Sequence, residues 1–391
     1  MQESQSKKNI AFLTHGYRNI GGGEYFLFHI ITKIDRSLFN PIVFHSNRNK
    51  IIENIENKDI RTVNINIDSS ITSIFRDEVQ FGPFSLIKYV ILLIKACLSL
   101  NKELIQNKIS ILYAHDNLSK IITIFCGKMT KTKIVTICHD ELGGAFIDRF
   151  LLFVQRYFFD RVICVSNCVG KTFSKKNKMP DHISVIYGGI QPNKWKGENN
   201  RYSENDTKIH KKEIVRIAII AVFDEVKGHK YLFEAIQLMV NNGMKNFQCF
   251  VVGEGREGSK LREWVIKNKL EKYIIFKGYI PQPVEFLSSI DISIVPSLKE
   301  SFGMSAIEAM SMEIPVIASS IGGLTEVVEH QKTGILVPPS NPGALANAIS
   351  HLINNPDLRY KMGKRGRKRV LKNFDIEKNI PLFADLIYTI K

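Results

Sequence analysis

The sequence predicts an α/β protein of two doubly wound, parallel-sheet domains. Three observations carry that expectation. Strand-length apolar runs alternate with helical patterns, the alternation stops once in a long polar break, and it then starts again. At 391 residues the chain exceeds one comfortable hydrophobic core, so two domains are the default. An apolar fraction of 44% and a charged fraction of 24% are those of a folded globular protein, not of a disordered or integral membrane chain.

The first series opens with Lys8 to Leu13 (KNIAFL), a strand, followed by the turn Gly21-Gly22-Gly23 and the helical pattern EYFLFHIITKI. Further strand-length runs lie at Ile42 to Phe44, Ile109 to Ala114, Lys133 to Cys138, Arg161 to Val165 and Ile183 to Ile186, with room between them for crossover helices. Residues 191–212 (QPNKWKGENNRYSENDTKIHKK) have almost no aliphatic side chains and read as an exposed linker. The first domain is therefore placed at 1–190. After the linker the order is strand IVRIAIIAVF, helix HKYLFEAIQLMV, strand FQCFVVG, helix SKLREWVIKN, strand YIIFKGYI, helix PVEFLSSI, strand ISIVPS, helix SAIEAM, strand PVIAS and a helix from Gly343 to Leu352. This places a second parallel domain at 213–372, and 373–391 reads as a terminal helix packing back towards the first domain. The basic stretch KRGRKRVLK (Lys364 to Lys372) reads as a solvated charged face.

Net charge is +16, and residues 1–195 hold 26 Lys and Arg against 16 Asp and Glu, which is +10 of that total. Such asymmetry asks for an anionic partner. No nucleic-acid recognition signature accompanies it, which leaves an anionic membrane surface or a phosphate-bearing acceptor. The N-terminus, MQESQSKKNI, lacks a signal-peptide apolar stretch, so a cytoplasmic location is expected, with a peripheral position on the inner face of the cell membrane as its charge-driven variant. Six scattered cysteines without a CxxC pair read as reduced core thiols, and no metal site is expected. Residues 81–100 (FGPFSLIKYVILLIKACLSL) are the most apolar window. Lys88 and Lys95 rule out a spanning helix, so a buried crossover helix is expected. In residues 146–159, Arg149 and Arg156 alternate with Phe150, Phe153, Tyr157 and Phe158. Core aromatics are the first reading there, and contact with an anionic lipid surface is the alternative.

Ligands of α/β sheets bind at the carboxyl ends of strands, so the residues following each strand carry the chemistry. Strand ISIVPS leads into LKESFGMSAIEAM, with Glu300 in the strand-to-helix loop and Glu308 about one turn into the helix. Gly303 lets backbone approach a ligand, and the helix beginning near Met304 aims unpaired N–H groups at the same place, a geometry suited to phosphate. The two carboxylates then serve neutral hydroxyls. Lys227, in the loop AVFDEVKGH after the domain's first strand, supplies positive charge, and Gly253-Glu254-Gly255 lines the same crevice.

With those residues in hand, the run ESFGMSAIEAMSMEIPVIASSIGGLTEVV, holding Glu300 and Glu308 in a Glu-x7-Glu spacing and the pair Gly322-Gly323, resembles the donor-site signature of retaining GT-B glycosyltransferases. That large family of group 1 glycosyltransferases includes sucrose synthase and bacterial lipopolysaccharide and capsule transferases. VKGHKYLFEAI, VVGEG and FKGYI fall in the family's order. In the first half the likeness is looser, resting on GGGE, TICHD around His139, VICVSNCV and IYGGI. The resemblance implies a GT-B fold of two Rossmann-like domains facing an inter-domain cleft, and transfer of a sugar from a nucleotide-sugar donor to a polysaccharide or lipid-linked oligosaccharide with retention and without cofactor or metal. It implies that Glu300 contacts the sugar ring, Glu308 the ribose, and that Lys227 with backbone groups from Ser301, Phe302, Gly303 and Met304 holds the diphosphate. Gly22 and Gly23 would approach the phosphates and His139 the transferred sugar. Catalytic roles thus fall to Glu300, His139 and Lys227. The chain departs from the family at Val222, where an Arg is usual, and at Ala221, where a Gly is usual. The departure at Val222 motivates one alternative, a degenerate homologue acting as a binding partner, and a sugar-nucleotide epimerase of the same fold, using donor without acceptor, is a further one.

Overall fold

A computed structural model of the chain describes residues 7–15, 22–68, 71, 83–141, 146–174, 178–195 and 214–390. They form two units, 1–188 with 376–391, and 189–375. Each unit is built on one parallel sheet.

The first unit holds seven strands: β1 (Lys8–Thr14), β2 (Phe39–His45), β3 (Arg61–Asn64), β4 (Ile111–Ala114), β5 (Lys133–Cys138), β6 (Arg161–Cys164) and β7 (Ile183–Val185). Their order is β3-β2-β1-β4-β5-β6-β7, so the winding direction reverses between β1 and β4, which pair from Ile10 opposite Ile111 to Leu13 opposite Ala114. Strands buried on both faces must be apolar throughout, and the central strands ILYA and KIVTIC meet that demand. The strand Arg61–Asn64 went unanticipated because it is an edge strand, RTVN, with exposed ends, half-buried middle residues and no apolar run.

The second unit holds six strands: β8 (Val215–Ile220), β9 (Phe247–Val252), β10 (Ile274–Gly278), β11 (Ile292–Val295), β12 (Val316–Ser319) and β13 (Gly334–Val337). They are ordered β10-β9-β8-β11-β12-β13, with the reversal between β8 and β11. One core beneath this sheet joins Ile217, Ile219, Phe233, Ile236, Val251 and Ile294 to the helix Pro342–Asn354 through Leu345, Ile349 and Leu352.

The terminal helix Ile376–Tyr388 belongs to the first unit. Its Asn379 side chain donates to Tyr187 O at 2.8 Å, Lys8 Nζ donates to Tyr388 O at 2.8 Å, and Phe383 meets the Tyr113 ring edge-on at 6.2 Å.

Three expectations are corrected. The helix Pro83–Gln106 is not buried: Ala96, Leu100 and Leu104 face inward, whereas Ile87, Ile94 and Leu98 are exposed. In the helix Phe146–Phe158 the buried side chains are Leu151, Val154 and Gln155, while Phe150, Phe153 and Tyr157 point to solvent and are not core. In both windows the apolar arc is wider than the stripe the sheet takes, so periodicity cannot say which apolar side chains stay exposed. The third correction concerns KRGRKRVLK, which lies in the helix Pro356–Asn373 and is only partly solvated. Arg367 donates to Ser311 O, and Arg369 donates to Val327 O and Glu326 O.

Candidate functional site

At the reversal of the second sheet, two loops leave neighbouring strands side by side. The loop after β8 makes a short 3-10 turn, Glu225–Lys227, capped by the Asp224 carboxylate, which accepts from Val226 N at 3.1 Å. The loop after β11 is tied to it by Leu298 N donating to Val226 O at 2.7 Å. This brings Lys227 and Glu300 together: Lys227 Nζ lies 2.8 Å from Glu300 Oε2, and Ser297 Oγ donates to the same oxygen at 3.2 Å. Both side chains remain partly open to solvent, 26% and 16% exposed, so the pair can exchange partners.

Glu300 is held from the other side as well. Its carbonyl accepts from Gly323 N at 2.9 Å, and a Cβ at Gly323 would stand 2.4 Å from both Phe302 Cα and Ser301 O. Only glycine allows that approach. Phe302 itself is buried edge-on to Phe374, ring centroids 5.7 Å apart, so its side chain fixes the loop and its backbone borders the site. Gly303, at φ +106, is the N-cap of the helix Met304–Ser311, which opens without a side-chain hydrogen bond. Gly303 has no side chain to cap the first N–H groups of that helix, an arrangement that favours an anion.

Glu308 stands on the same helix. Burial pushes its carboxyl up to about 8, which favours the protonated, neutral form. His229, which opens the next helix after Lys227, is lowered to about 4 by burial and then by the Lys227 charge. Gly253 and Glu254 adjoin the β8 loop through backbone: Phe223 N donates to Glu254 O at 2.8 Å, and a Cβ on Gly253 would stand 2.0 Å from Ala221 O. Arg256 pairs with Asp224 at 3.0 Å, two residues from the exposed Val222.

In the first unit, the helix Gly22–Lys33 begins beside His139: a Cβ on Gly23 would lie 3.6 Å from the imidazole. Gly21 lies outside the described residues. His139 is held well below its ordinary value by burial, then by His115 and Lys120, so it is neutral, and its Nε2 is buried without a hydrogen-bond partner. Beside it lies a group that sequence reasoning missed. His15 follows β1, and His115 and Asp116 follow β4, on either side of the reversal. His15 Nδ1 meets both Asp116 oxygens at 2.9 Å, His15 N donates to Asp116 Oδ2 at 3.1 Å, and Ser119 N donates to Asp116 Oδ1 at 2.9 Å. Burial raises the Asp116 carboxyl, but the His15 charge and these hydrogen bonds outweigh it and hold the group well below the usual carboxylate range. His15 Nε2 is buried without a partner. Two strand runs ending in histidine, KNIAFLTH and ILYAHD, were the available signal.

Among the described residues, no group of three or more His, Cys, Asp or Glu is placed to hold a metal ion. Together the second unit offers a cation, an uncapped helix start and two acidic side chains around one loop pair, which suits a ligand bearing both phosphate and hydroxyl groups.

Comparison with known proteins bears on the family and the fold. Residues 201–369 match the model of Glycosyl transferases group 1, and residues 20–194 match that of Glycosyltransferase Family 4. An uncharacterized glycosyltransferase of Methanocaldococcus jannaschii is 30% identical over 235 residues, spanning 57% of this chain and 60% of the relative. The chain thus covers about three fifths of that relative's length. N-acetyl-alpha-D-glucosaminyl L-malate synthase of Bacillus anthracis is 23% identical over 325 residues, covering 81% and 84% of the two chains. Anabaena HepE, solved with UDP and glucose, superposes with a TM-score of 0.78 at 19% identity, over 97% of this chain and 99% of its own. Sucrose-phosphate synthase of Thermosynechococcus elongatus gives 0.74 at 20% identity, over 97% and 98%. At these identities the structural likeness establishes the fold, which is GT-B.

Proposed function

We propose, from the premise that the chain is a group 1 glycosyltransferase, that it moves a sugar from a nucleotide-sugar donor to a hydroxyl of a cell-surface polysaccharide or lipid-linked oligosaccharide. The observation that carries this reading is the Lys227–Glu300 pair at the reversal of the second sheet, beside the uncapped helix start. A diphosphate would take over Lys227 and the N–H groups from Gly303 and Met304, stabilising the leaving group as its charge develops. Glu300, released, would accept from the sugar hydroxyls, and Glu308 would serve the ribose. In the first unit, neutral His139 and the helix start at Gly22 and Gly23 would hydrogen-bond substrate oxygens.

Retention of configuration and independence from metal belong to this proposal. The solved UDP-glucose complex of Anabaena HepE supports a uridine donor as the first to test, and the name of Staphylococcus aureus CapM, a capsular polysaccharide biosynthesis glycosyltransferase 28% identical over 208 residues, supports a glycan acceptor.

The test is mass spectrometry of products from purified protein given UDP-, GDP- and ADP-sugars with a lipid extract. A sugar-sized mass gain on an acceptor, lost in Lys227→Ala and Glu300→Ala, is expected. Unchanged rates in both variants would refute the assignment. A second reading, a binding homologue without catalysis, draws on Val222, which is 54% exposed where the family usually has Arg. Arg256 weighs against it, because its ion pair with Asp224 brings a guanidinium to the same loop. Donor isomerised without acceptor would instead identify an epimerase.

A further inference from the structure

Three helices of the first unit expose apolar side chains where globular proteins seldom do. The chain passes from β3 to β4, β5 and β6 in steps towards the same sheet edge, and right-handed crossovers put the intervening helices on one sheet face. Those helices are Pro83–Gln106, Asn117–Thr130 and Phe146–Phe158. They pack in a row: Asn101 Nδ2 lies 3.4 Å from Met129 Sδ, and Lys128 Nζ sits 4.4 Å from the centre of the Phe158 ring. Each turns one stripe inward, through Leu100, Ile122 and Leu151 among others. Turned outward are Ile94, Leu98, Phe125, Met129, Phe153 and Tyr157, every one of them more than half exposed. Large apolar side chains exposed together on three helices packed side by side mark an interaction face.

The charges interleaved with this surface identify what covers it. Lys88, Lys95, Lys128 and Arg149 are exposed on the same three helices, whose only acidic residues are Glu103 and Asp148, both half-buried. A second copy applied to the face would bring like charges together, since a two-fold contact pairs a surface with itself. A surface that is apolar beneath and anionic above answers both features. No helix among the described residues is long and apolar enough to cross a membrane, so contact lies in the plane of the interface. We propose that this face docks the protein on an anionic lipid bilayer, with the exposed aromatic and aliphatic side chains entering the boundary of headgroups and acyl chains and the lysine and arginine side chains meeting lipid phosphates. The docking stands on its own observations and does not depend on sugar transfer.

The experiment is sedimentation of the full chain with vesicles of phosphatidylcholine alone or mixed with phosphatidylglycerol, without any sugar nucleotide. Binding to the mixed vesicles is expected in about 0.1 M salt. It should weaken at about 1 M, where the Debye length falls from about 10 Å to about 3 Å. The double substitution Lys88→Glu and Lys95→Glu should lower affinity on the order of tenfold or more, since each basic residue near an anionic surface contributes roughly fivefold. Phe153→Ser with Tyr157→Ser should lower it independently of salt, with circular dichroism confirming that both variants fold. If the serine variant fails to fold, the glutamate variant still decides. Equal binding to neutral and anionic vesicles, or none to either, overturns the proposal. So does a dimer in light scattering that the same substitutions dissolve.

Discussion

Lys227 and Glu300 hold each other at 2.8 Å across the loops that leave β8 and β11. The cation proposed to meet phosphate and the carboxylate proposed to meet hydroxyls thus neutralise one another, which leaves neither as a lone, partly buried charge. Removing Lys227 (Lys227→Ala) is expected to lower kcat on the order of 100-fold, the effect of losing one group that stabilises developing negative charge. Its effect on stability should stay within about 1 kcal/mol, because the pair is partly solvated. Glu300→Gln should lower the rate while leaving nucleotide diphosphate affinity within a few fold. Steady-state kinetics with calorimetric titration of the diphosphate separates the two roles. Equal loss of diphosphate affinity in both variants would refute the division of labour.

Glu308 supplies a pH signature. Its folded value, up to about 8, lies above the ordinary 4.5, so the folded state binds the extra proton. The associated stability is therefore fully present below about pH 4.5 and is lost as pH rises through about 8. Glu308→Gln should flatten that fall in stability, by an amount on the order of a few kcal/mol at about pH 9. Thermal melts of both proteins between pH 5 and pH 9, about the window of the shift, give the comparison. Parallel curves would mean that the carboxyl is not buried in solution.

Asp116 carries the opposite sign. Its carboxyl is held low, so its contribution is present above the ordinary 3.8 and is lost as pH falls further. Asp116→Asn keeps the side chain's shape but removes the charge facing His15 and weakens the cap on Ser119 N. A loss of about 1–3 kcal/mol is expected, the range for a buried charge-assisted hydrogen bond together with a helix cap. Urea unfolding at pH 7 measures it. A loss no larger than that of a surface substitution would show that His15 has other support.

The sequence made most of this legible where one physical demand dominates. Strands buried on both faces must be apolar, so the central strands ILYA, KIVTIC and ISIV stand out without a structure. That Glu300 and Lys227 meet was legible because both stand in loops at the carboxyl ends of strands, where side chains of an α/β sheet converge. The rest depends on partners distant in sequence. Nothing local announces that Arg367 reaches Ser311 O, or that Gly363 is small because a Cβ there would stand 1.9 Å from Glu313 O. Asp116 likewise reads as an ordinary helix cap until His15, 101 positions earlier, is seen against it. Phe153 and Tyr157 were misread because the apolar arc of their helix is wider than the stripe that packs inward through Leu151 and Val154, and only tertiary structure shows which part is covered.

Gly323 offers the sharpest separation of stability from chemistry. Its N–H donates to Glu300 O at 2.9 Å, and its missing side chain lets the 301–302 backbone lie against it. A methyl group there meets main chain at 2.4 Å, so the loop must shift and cannot merely turn a side chain aside. Gly323→Ala is expected to destabilise the fold by about 1–3 kcal/mol, as overpacking does. The displaced loop carries Glu300 away from Lys227, and a displacement of about 1 Å can reduce a rate roughly 100-fold. The loss of transfer should therefore approach that of Glu300→Gln while the protein stays folded at assay temperature. Pairing Gly323→Ala with Glu300→Gln completes the argument, because two changes acting through one loop lose less together than the product of their separate effects. If the two losses multiply in full, Gly323 does not act through Glu300.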